Sequence, residues 1–358
     1  MQKGSILFLV PFPLHQAPSQ RFRMEIYEPY LRSEGISYSI VPFMDLSTSR
    51  KLYKSGGTLN KAWGTLKGYL RRIKVILIDS HRYEFVFITR QAAPLGPPIF
   101  EFIISKIWRK KMIFDFDDAL WIPRTSVENK FAEWLKCSWK IKYICKWSYK
   151  VSTGNQFLFD YASKYNNNVF LLPTTVDLDR QHNMIKTHHS SKAVVGWTGS
   201  HSTLCFLEPL IVLINQLQKE LDFTLLVICN KRPDFDLKDW QYIEWSEEKE
   251  IEDLLKMDIG IMPLTQDKWS LGKCGFKIIQ YLSLGIPAIA SPVGVNNVII
   301  ENGKNSFLCS SEEDWRNSFT TLIYDYELRK KMGDEGRKKI IAEYNTSVIV
   351  PTFIQLFS

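Results

Sequence analysis

Three stretches of the chain bring together residue types that can hold a charged, hydroxyl-rich substrate. In Val195-Gly196-Trp197-Thr198-Gly199-Ser200-His201-Ser202-Thr203, a short apolar run ends in a glycine followed by hydroxyls and an imidazole. Read as a strand running into a helix, this loop lets Gly199 approach a ligand closely, while Ser200, His201, Ser202 and Thr203 add polar groups. The helix N-terminus adds N–H donors and a positive dipole end, which suits a diphosphate. The same residues also suit a plain Ser/Thr helix cap.

The second stretch runs from Gly272 through Lys273, Cys274, Gly275, Phe276 and Lys277 to Gln280, and then through Gly285-Ile286-Pro287 to Ser291. At helical spacing Lys273, Lys277 and Gln280 share one face. Two cations and an amide behind a glycine-bearing loop would suit phosphates and a ribose, and the N–H groups of Cys274, Gly275 and Phe276 could hold a sugar. The third stretch, Ile113 to Trp121, carries Asp115, Asp117 and Asp118. Strand alternation would put Asp115 and Asp117 on one face and Asp118 on the other. Carboxylates there can act as a base, bind sugar hydroxyls, hold a metal or cap a helix. Arg21 and Arg23, in Pro18-Ser19-Gln20-Arg21-Phe22-Arg23, could meet phosphates with planar forked donors or be exposed helix charges, and Arg90 follows another apolar run.

Short apolar runs alternating with amphipathic stretches must position these groups. Strands are predicted at 5–10, 38–41, 84–89, 112–116, 151–152 and 169–172. A second set follows at 193–197, 223–228, 242–245, 259–262, 288–290 and 307–309. Helical patterns fill most gaps, notably 21–33, 204–220, 248–257 and 276–284, and 312–356 is mostly helical. Such alternation implies parallel sheets. The stretch 47–68 fits a mobile loop or short helices, and 173–192 turns polar like a linker.

At 358 residues the chain exceeds the roughly 250 to 300 residues at which one core usually splits, so two domains are expected. With 45% hydrophobic and 23% charged residues, both should fold. Six scattered cysteines lack CxxC or Cys/His metal spacing, which fits a reducing compartment. The first ten residues lack the length and cleavage site of a secretory signal. No run reaches the ~18 apolar residues of a membrane span, so a cytoplasmic or peripheral location is expected. The charge is lopsided. Residues 1–180 hold 27 Lys+Arg against 15 Asp+Glu, and residues 181–358 hold 19 against 23. The first half would attract an anionic partner.

The block from Gly272 to Ser291 resembles the donor-site signature of glycosyltransferase family 4. Pro173-Thr174-Thr175-Val176-Asp177, Asp258-Ile259-Gly260-Ile261-Met262-Pro263-Leu264 and Gly294 to Gly303 extend the likeness over most of the second half. The first half matches more loosely. Both glutamates of that signature are absent, Gly272 and Gln280 standing in their places, as in a divergent bacterial branch. The resemblance implies an α/β GT-B fold of two Rossmann-like domains with a central cleft and a C-terminal helical segment. Boundaries follow at 1–175 for the acceptor-side domain, 176–192 for the linker and 193–340 for the nucleotide-sugar domain, with a helix at 341–358 packing back on the first. It also implies a retaining hexosyltransferase that uses a nucleotide-diphosphate sugar and a glycan or lipid-linked acceptor, in surface polysaccharide or glycoconjugate synthesis. No cofactor or metal is required by a front-face displacement in which the leaving diphosphate takes the acceptor proton.

Within that reading Gly199, Ser200, His201, Ser202, Thr203, Lys273, Cys274, Gly275, Phe276, Lys277 and Gln280 bind the donor. Asp117, Asp118 and Lys277 are the catalytic candidates, and Ser19, Arg21, Arg23 and Arg90 lie on the acceptor or phosphate side. A sugar-nucleotide epimerase or phosphorylase of the same fold is the enzymatic rival. Nucleic-acid binding is disfavoured, because no usual module is present.

Residues 128–150 form a last candidate. On a helix, Phe131, Trp134, Ser138, Ile141 and Cys145 take one side, and Lys136, Lys140, Lys146 and Lys150 the other, interleaved with Trp139, Tyr143 and Trp147. That composition suits docking on an anionic membrane at the inner face of the plasma membrane. Alternatively, the aromatics pack against 47–68.

Overall fold

The computed structural model describes residues 4–52, 58–123, 135–189 and 191–358. The chain forms two compact units, one made of the residues up to Thr174 together with Ile349–Ser358, the other of Thr175–Val348.

The first unit is built on β1 (Ile6–Val10), β2 (Tyr38–Pro42), β3 (Phe85–Thr89), β4 (Lys111–Phe116), β5 (Lys150–Thr153) and β6 (Val169–Leu171). All pair in parallel in the order β2-β1-β3-β4-β5-β6. Every residue of β1 and β3 is buried, which is why these runs are continuously apolar rather than alternating: helices cover both faces of a parallel sheet. Among those helices are α1 (Pro18–Arg21), α2 (Thr58–Lys74), α3 (Ile99–Phe102) and α4 (Lys140–Trp147).

The helix expected over 21–33 is broken. It becomes α1, a 3-10 turn at Glu25–Tyr27 and a short helix at Glu28–Ser33. Pro29 opens the last of these, where its missing N–H costs nothing. The ambiguous stretch 47–68, of which residues 53–57 lie outside the described residues, holds a helix at Leu46–Leu52 and the start of the seventeen-residue α2.

The lysine face expected over 128–150 is partly overturned. Residues 128–134 lie outside the described residues. Lys140 is buried, and its ammonium donates to the carbonyls of Ala93 at 3.1 Å and Gly96 at 3.3 Å. Ser148 turns the chain into extended geometry, so α4 stops at Trp147. Lys150 therefore sits in β5, buried, donating to the carbonyls of Gln355 at 2.7 Å and Ser358 at 3.0 Å. Neither lysine can face lipid. Ile141 and Cys145 are buried as their spacing implied, while Lys136, Trp139, Tyr143 and Lys146 are exposed.

The second unit is built on β7 (Ala193–Gly199), β8 (Phe223–Cys229), β9 (Trp240–Glu244), β10 (Ile259–Met262), β11 (Ala288–Ala290) and β12 (Phe307–Leu308). Again all pairings are parallel, in the order β12-β11-β10-β7-β8-β9. Trp197, Leu225 and Val227 pack with Leu213, Ile214 and Leu217 of α5 (Glu208–Leu217) and with Phe319 and Leu322 further on. The start expected at Leu204 is a 3-10 turn, His201–Phe206, and α5 begins properly where Pro209 sets its first turn. Helices α6 (Phe276–Ser283), α7 (Glu312–Tyr324) and α8 (Tyr326–Glu343) follow, α7 opened by a capping box of Ser311 and Asp314.

The polar residues 175–189 lie within the second unit. Lys186 makes a 3.0 Å ion pair with Asp258 and donates to the carbonyl of Leu255 at 2.9 Å, and His188 Nε2 hydrogen bonds to the Gly285 carbonyl at 2.9 Å. The last helix, α9 (Thr346–Gln355), continues into the first unit from Ile349. Phe353 stacks on Tyr27 at 4.0 Å, and Phe357 meets Phe8, Phe85 and Phe87. Among the described residues no helix is long and apolar enough to cross a membrane.

Candidate active site

In an open parallel sheet, ligands bind beyond the carboxyl ends of the strands where the strand order reverses. The first unit reverses between β1 and β3, and the second between β7 and β10.

At the first reversal, Arg90 follows β3 in a left-handed conformation, φ 64°, unusual for a branched-chain-sized side chain and a local strain. Its N–H donates to the Asp115 carbonyl at 2.7 Å. Its guanidinium Nη1 lies 3.0 Å from Asp117 Oδ1 and 2.9 Å from Asp118 Oδ2. Strand alternation would have separated these two carboxylates, but β4 ends at Phe116, and beyond it both turn to the same arginine. Burial raises the Asp117 pKa, Arg90 opposes that shift, and the neighbouring Asp118 adds to it. For Arg90, burial alone would lower the pKa, and the two carboxylates more than reverse this.

Asp115 plays a different part. It points into the core, where the Arg23 guanidinium donates through Nε to Oδ2 at 2.9 Å and through Nη2 to Oδ1, and Ser152 donates to the same Oδ1. Arg23 Nη1 also donates to the Leu172 carbonyl at 2.6 Å. The side chains of both Arg23 and Asp115 are 0% exposed. Arg23 is thus a strut tying the segment after α1 to β4, β5 and the residue after β6, not a phosphate ligand. Arg21 is also buried, its guanidinium 4.9 Å over the Phe22 ring, and Ser19 is half-buried at the start of α1. Gln20, which carried no expectation, donates to Glu25 Oε1 at 2.7 Å and accepts the Phe12 N–H at 3.1 Å, fixing the loop after β1.

At the second reversal, β7 and β10 pair only through Val195–Ile259 and Gly196–Gly260, then diverge. Tyr281 of α6 fills the gap. Its hydroxyl accepts the Thr198 N–H at 3.1 Å and donates to the Ile261 carbonyl at 3.5 Å. Its ring lies so close to Gly260 that a Cβ there would meet it at 2.2 Å. Gly275 caps α6 in a left-handed conformation, φ 68°, which only glycine adopts freely. Lys277, on the first turn, sets its ammonium 5.6 Å from the centre of the Trp197 ring in β7, within cation–π range. The ends of β7 and α6 thereby converge, bringing a cation and a helix dipole to one place.

The loop after β7 is held by its own polar groups and by Asn230, which follows β8. His201 N–H donates to Asn230 Oδ1 at 2.8 Å, Ser200 and Ser202 hydroxyls are 2.9 Å apart, and the Thr203 hydroxyl donates to the Ser200 carbonyl at 2.8 Å. A side chain at Gly199 would strike the Trp197 ring at 2.5 Å. After β11, Ser291 Oγ accepts the Leu264 N–H at 2.9 Å, joining the loop after β10 to this rim.

The shared face expected for Lys273, Lys277 and Gln280 does not form. Lys273 and Cys274 precede the helix, on the far side of the Gly275 turn, and the Lys273 ammonium sits 5.0 Å over the Trp269 ring. Gln280 is buried and donates to Glu250 Oε1 at 3.3 Å, the oxygen that also takes the Trp245 indole N–H at 3.2 Å. Phe276 is half-buried and Gly272 ends a short helix before the loop. Trp197, Tyr281 and Glu250 were not singled out from sequence, since their roles depend on partners 80, 83 and 30 positions away. Among the described residues, no group of three or more His, Cys, Asp or Glu side chains could hold a metal ion.

These two rims belong to a GT-B fold. The chain superimposes over 99% of its length on 98% of sucrose-phosphate synthase from Thermosynechococcus elongatus, with TM-score 0.71 at 12% identity. A glycosyltransferase from Rickettsia africae gives TM-score 0.69 at 16% identity, covering 100% of this chain and 98% of that one. Anabaena HepE in complex with UDP and glucose gives 0.67 at 14%, covering 98% of each. Residues 236–339, which hold α6 and the Gly275 turn, match the family model described as Glycosyl transferases group 1. No curated protein matches the chain in sequence.

Proposed function

We propose that the chain is a glycosyltransferase that moves a hexosyl group, with retention of configuration, from a nucleotide-diphosphate sugar to a glycan or lipid-linked acceptor in surface polysaccharide or glycoconjugate synthesis. The observation that carries this reading is the convergence of Lys277, Trp197 and the N-terminus of α6 at the β7/β10 reversal, inside the segment matched by the family model. Negative charge develops on the diphosphate as its bond to the anomeric carbon breaks, and a fixed cation and helix dipole stabilise it there. The new bond to the acceptor oxygen forms on the same face of the sugar, and the departing diphosphate oxygen takes the acceptor proton. Asp117 and Asp118, held by Arg90, accept hydrogen bonds from acceptor hydroxyls. The complex of HepE with UDP and glucose makes UDP the first nucleotide to test.

Thermal unfolding with UDP, GDP, dTDP and ADP tests the donor side. Saturation at 100 times Kd adds about 2.7 kcal/mol, which for a unit of this size is a rise of roughly 5 to 10 °C. The rise should appear with one nucleotide and vanish in Lys277→Ala. If none of the four raises the unfolding temperature, the donor site is misassigned. Conversion of the nucleotide sugar to an epimer without any acceptor would assign the protein to the rival class.

A further inference from the structure

Helix α2 is amphipathic in the wrong sense for a soluble protein. Its buried positions are Gly64, Gly68 and Arg72, followed by Val75 and Ile76 in the turn that continues it. Its exposed positions are Trp63 at 58%, Leu66 at 47%, Leu70 at 57% and Ile73 at 42%, followed by Leu77 at 49%. The spacing of three or four puts these side chains in one stripe along the helix. The inversion has structural causes. A Cβ at Gly68 would strike the Phe43 ring at 2.5 Å, and one at Gly64 would strike Thr48 at 2.4 Å, so the inner face must be small. Arg72 turns inward because it caps strand ends, donating to the carbonyls of Val10 at 2.6 Å and of Val41 and Ala92 at 2.8 Å. None of these constraints calls for tryptophan, leucine and isoleucine outside.

The apolar surface continues onto neighbouring elements of the same unit. Tyr69 of α2 contacts Phe100 of α3 at 6.1 Å, and α3 with the turn after it exposes Ile99, Phe102 and Ile107. Phe102 meets Trp147 of α4 at 5.3 Å, Trp147 meets Tyr143 at 5.6 Å, and Tyr143 meets Trp139 at 5.7 Å. Exposed apolar area on this scale marks an interaction site rather than the scattered exposure of an ordinary surface.

The charge says with what. Residues 46–78 contain eight Lys or Arg and no Asp or Glu, and residues 135–147 contain four and none; of these, Arg72 and Lys140 turn inward. The single carboxylate between Ile99 and Ile107, Glu101, is buried and accepts the Ala92 N–H at 2.9 Å. Exposed Lys67, Lys74, Lys106 and Lys146 lie among the apolar side chains. A second copy of this face would meet like charge with like, whereas lysines beside tryptophan and leucine match anionic headgroups over acyl chains. We propose that the exposed face of α2, continued by α3 and α4, docks the first unit on an anionic lipid bilayer, with α2 lying in the plane of the headgroups. This rests on no part of the glycosyl-transfer reading.

Cosedimentation of the full chain with phosphatidylcholine vesicles, with and without phosphatidylglycerol, tests it without any nucleotide. Binding to the anionic vesicles should exceed binding to the neutral ones by about tenfold or more, since each basic residue near such a surface adds severalfold. Leu66→Ser/Leu70→Ser/Ile73→Ser should lower binding to anionic vesicles by at least about tenfold, because apolar insertion is lost. Lys67→Glu/Lys74→Glu removes the preference for phosphatidylglycerol and touches no buried group, so it stands in if the triple variant fails to fold, as judged by near-ultraviolet circular dichroism. Equal binding to both vesicle types, or binding indifferent to both variants, overturns the proposal. So does a dimer in light scattering that the triple variant dissociates while the wild type ignores vesicles, for then a second copy covers the face.

Discussion

The two strand-order reversals present different electrostatic faces. In the first unit the three aspartates at the end of β4 are each matched: Asp115 by Arg23 inside the core, and the partly buried Asp117 and Asp118 by Arg90 at the rim. In the second unit the rim offers Lys277 against an aromatic ring, hydroxyls from Ser200 to Thr203, and a helix N-terminus. On the function proposed above, a matched cluster of acceptors and donors suits neutral hydroxyls, where geometry matters more than net charge. On the same reading, a cation beside a ring and a helix N-terminus suits an anion. Similar sheets have thus been given complementary chemistry by the loops at one edge, and fold alone would not have distinguished them.

The largest effect expected from breaking this contrast is structural. Arg23→Ala leaves Asp115 buried without its partner and should cost about 3 to 5 kcal/mol, measured by denaturant unfolding. A loss below about 1 kcal/mol, the size of a surface pair, would return Arg23 to the rim. Next, Lys277→Ala should lower kcat by about a hundredfold, the usual range for losing one donor to developing charge, with denaturant stability close to wild type. Asp117→Asn or Asp118→Asn should lower turnover about tenfold, less than the roughly hundredfold or more of a lost general base because only a contact to an acceptor hydroxyl is weakened, while nucleotide affinity by calorimetry stays unchanged; full activity in both would make the cluster structural.

Smaller still is the acid limb. Because burial raises the Asp117 pKa, kcat/KM should fall with acid above the ordinary aspartate value of about 4, and Asp117→Asn should move that limb down. The same raised value means the native state binds the proton more tightly than the unfolded chain. Between the ordinary and the raised pKa, this group's contribution to stability therefore declines as pH rises, and the Asn variant should flatten that decline. Tyr281→Phe, which removes a hydroxyl bridging β7 and α6, should cost about 1 kcal/mol in stability.

All twelve strands were legible, because runs such as Ile6–Val10 and Phe223–Cys229 are apolar enough to be seen without their neighbours. What stayed illegible depended on distant pairing or on where an element stops. Asp115 meets an arginine 92 positions away, so its carboxylate looked like a site residue. Asp117 and Asp118 face together only because β4 ends one residue earlier. Lys273 and Lys277 have helical spacing, but the left-handed Gly275 falls between them. Lys140 seemed a surface lysine until the carbonyls of Ala93 and Gly96 supplied a buried seat for its charge. Helix α2 hid for the opposite reason: glycines at 64 and 68 read as loop, though they are what lets the helix lie close to Phe43 and Thr48.

The crossing of α9 into the first unit has a consequence for biosynthesis. The second unit is one uninterrupted stretch, Thr175–Val348, whereas the first needs Ile349–Ser358 to complete it. A ribosome delivers those residues only after the second unit has emerged, and domains generally fold as they emerge. The part of the chain made first is therefore finished last. Until Phe353 and Phe357 arrive to cover Tyr27, Phe8 and Phe87, the nascent first unit carries an open aromatic seam, and a chain cut short before Ile349 would leave that seam exposed.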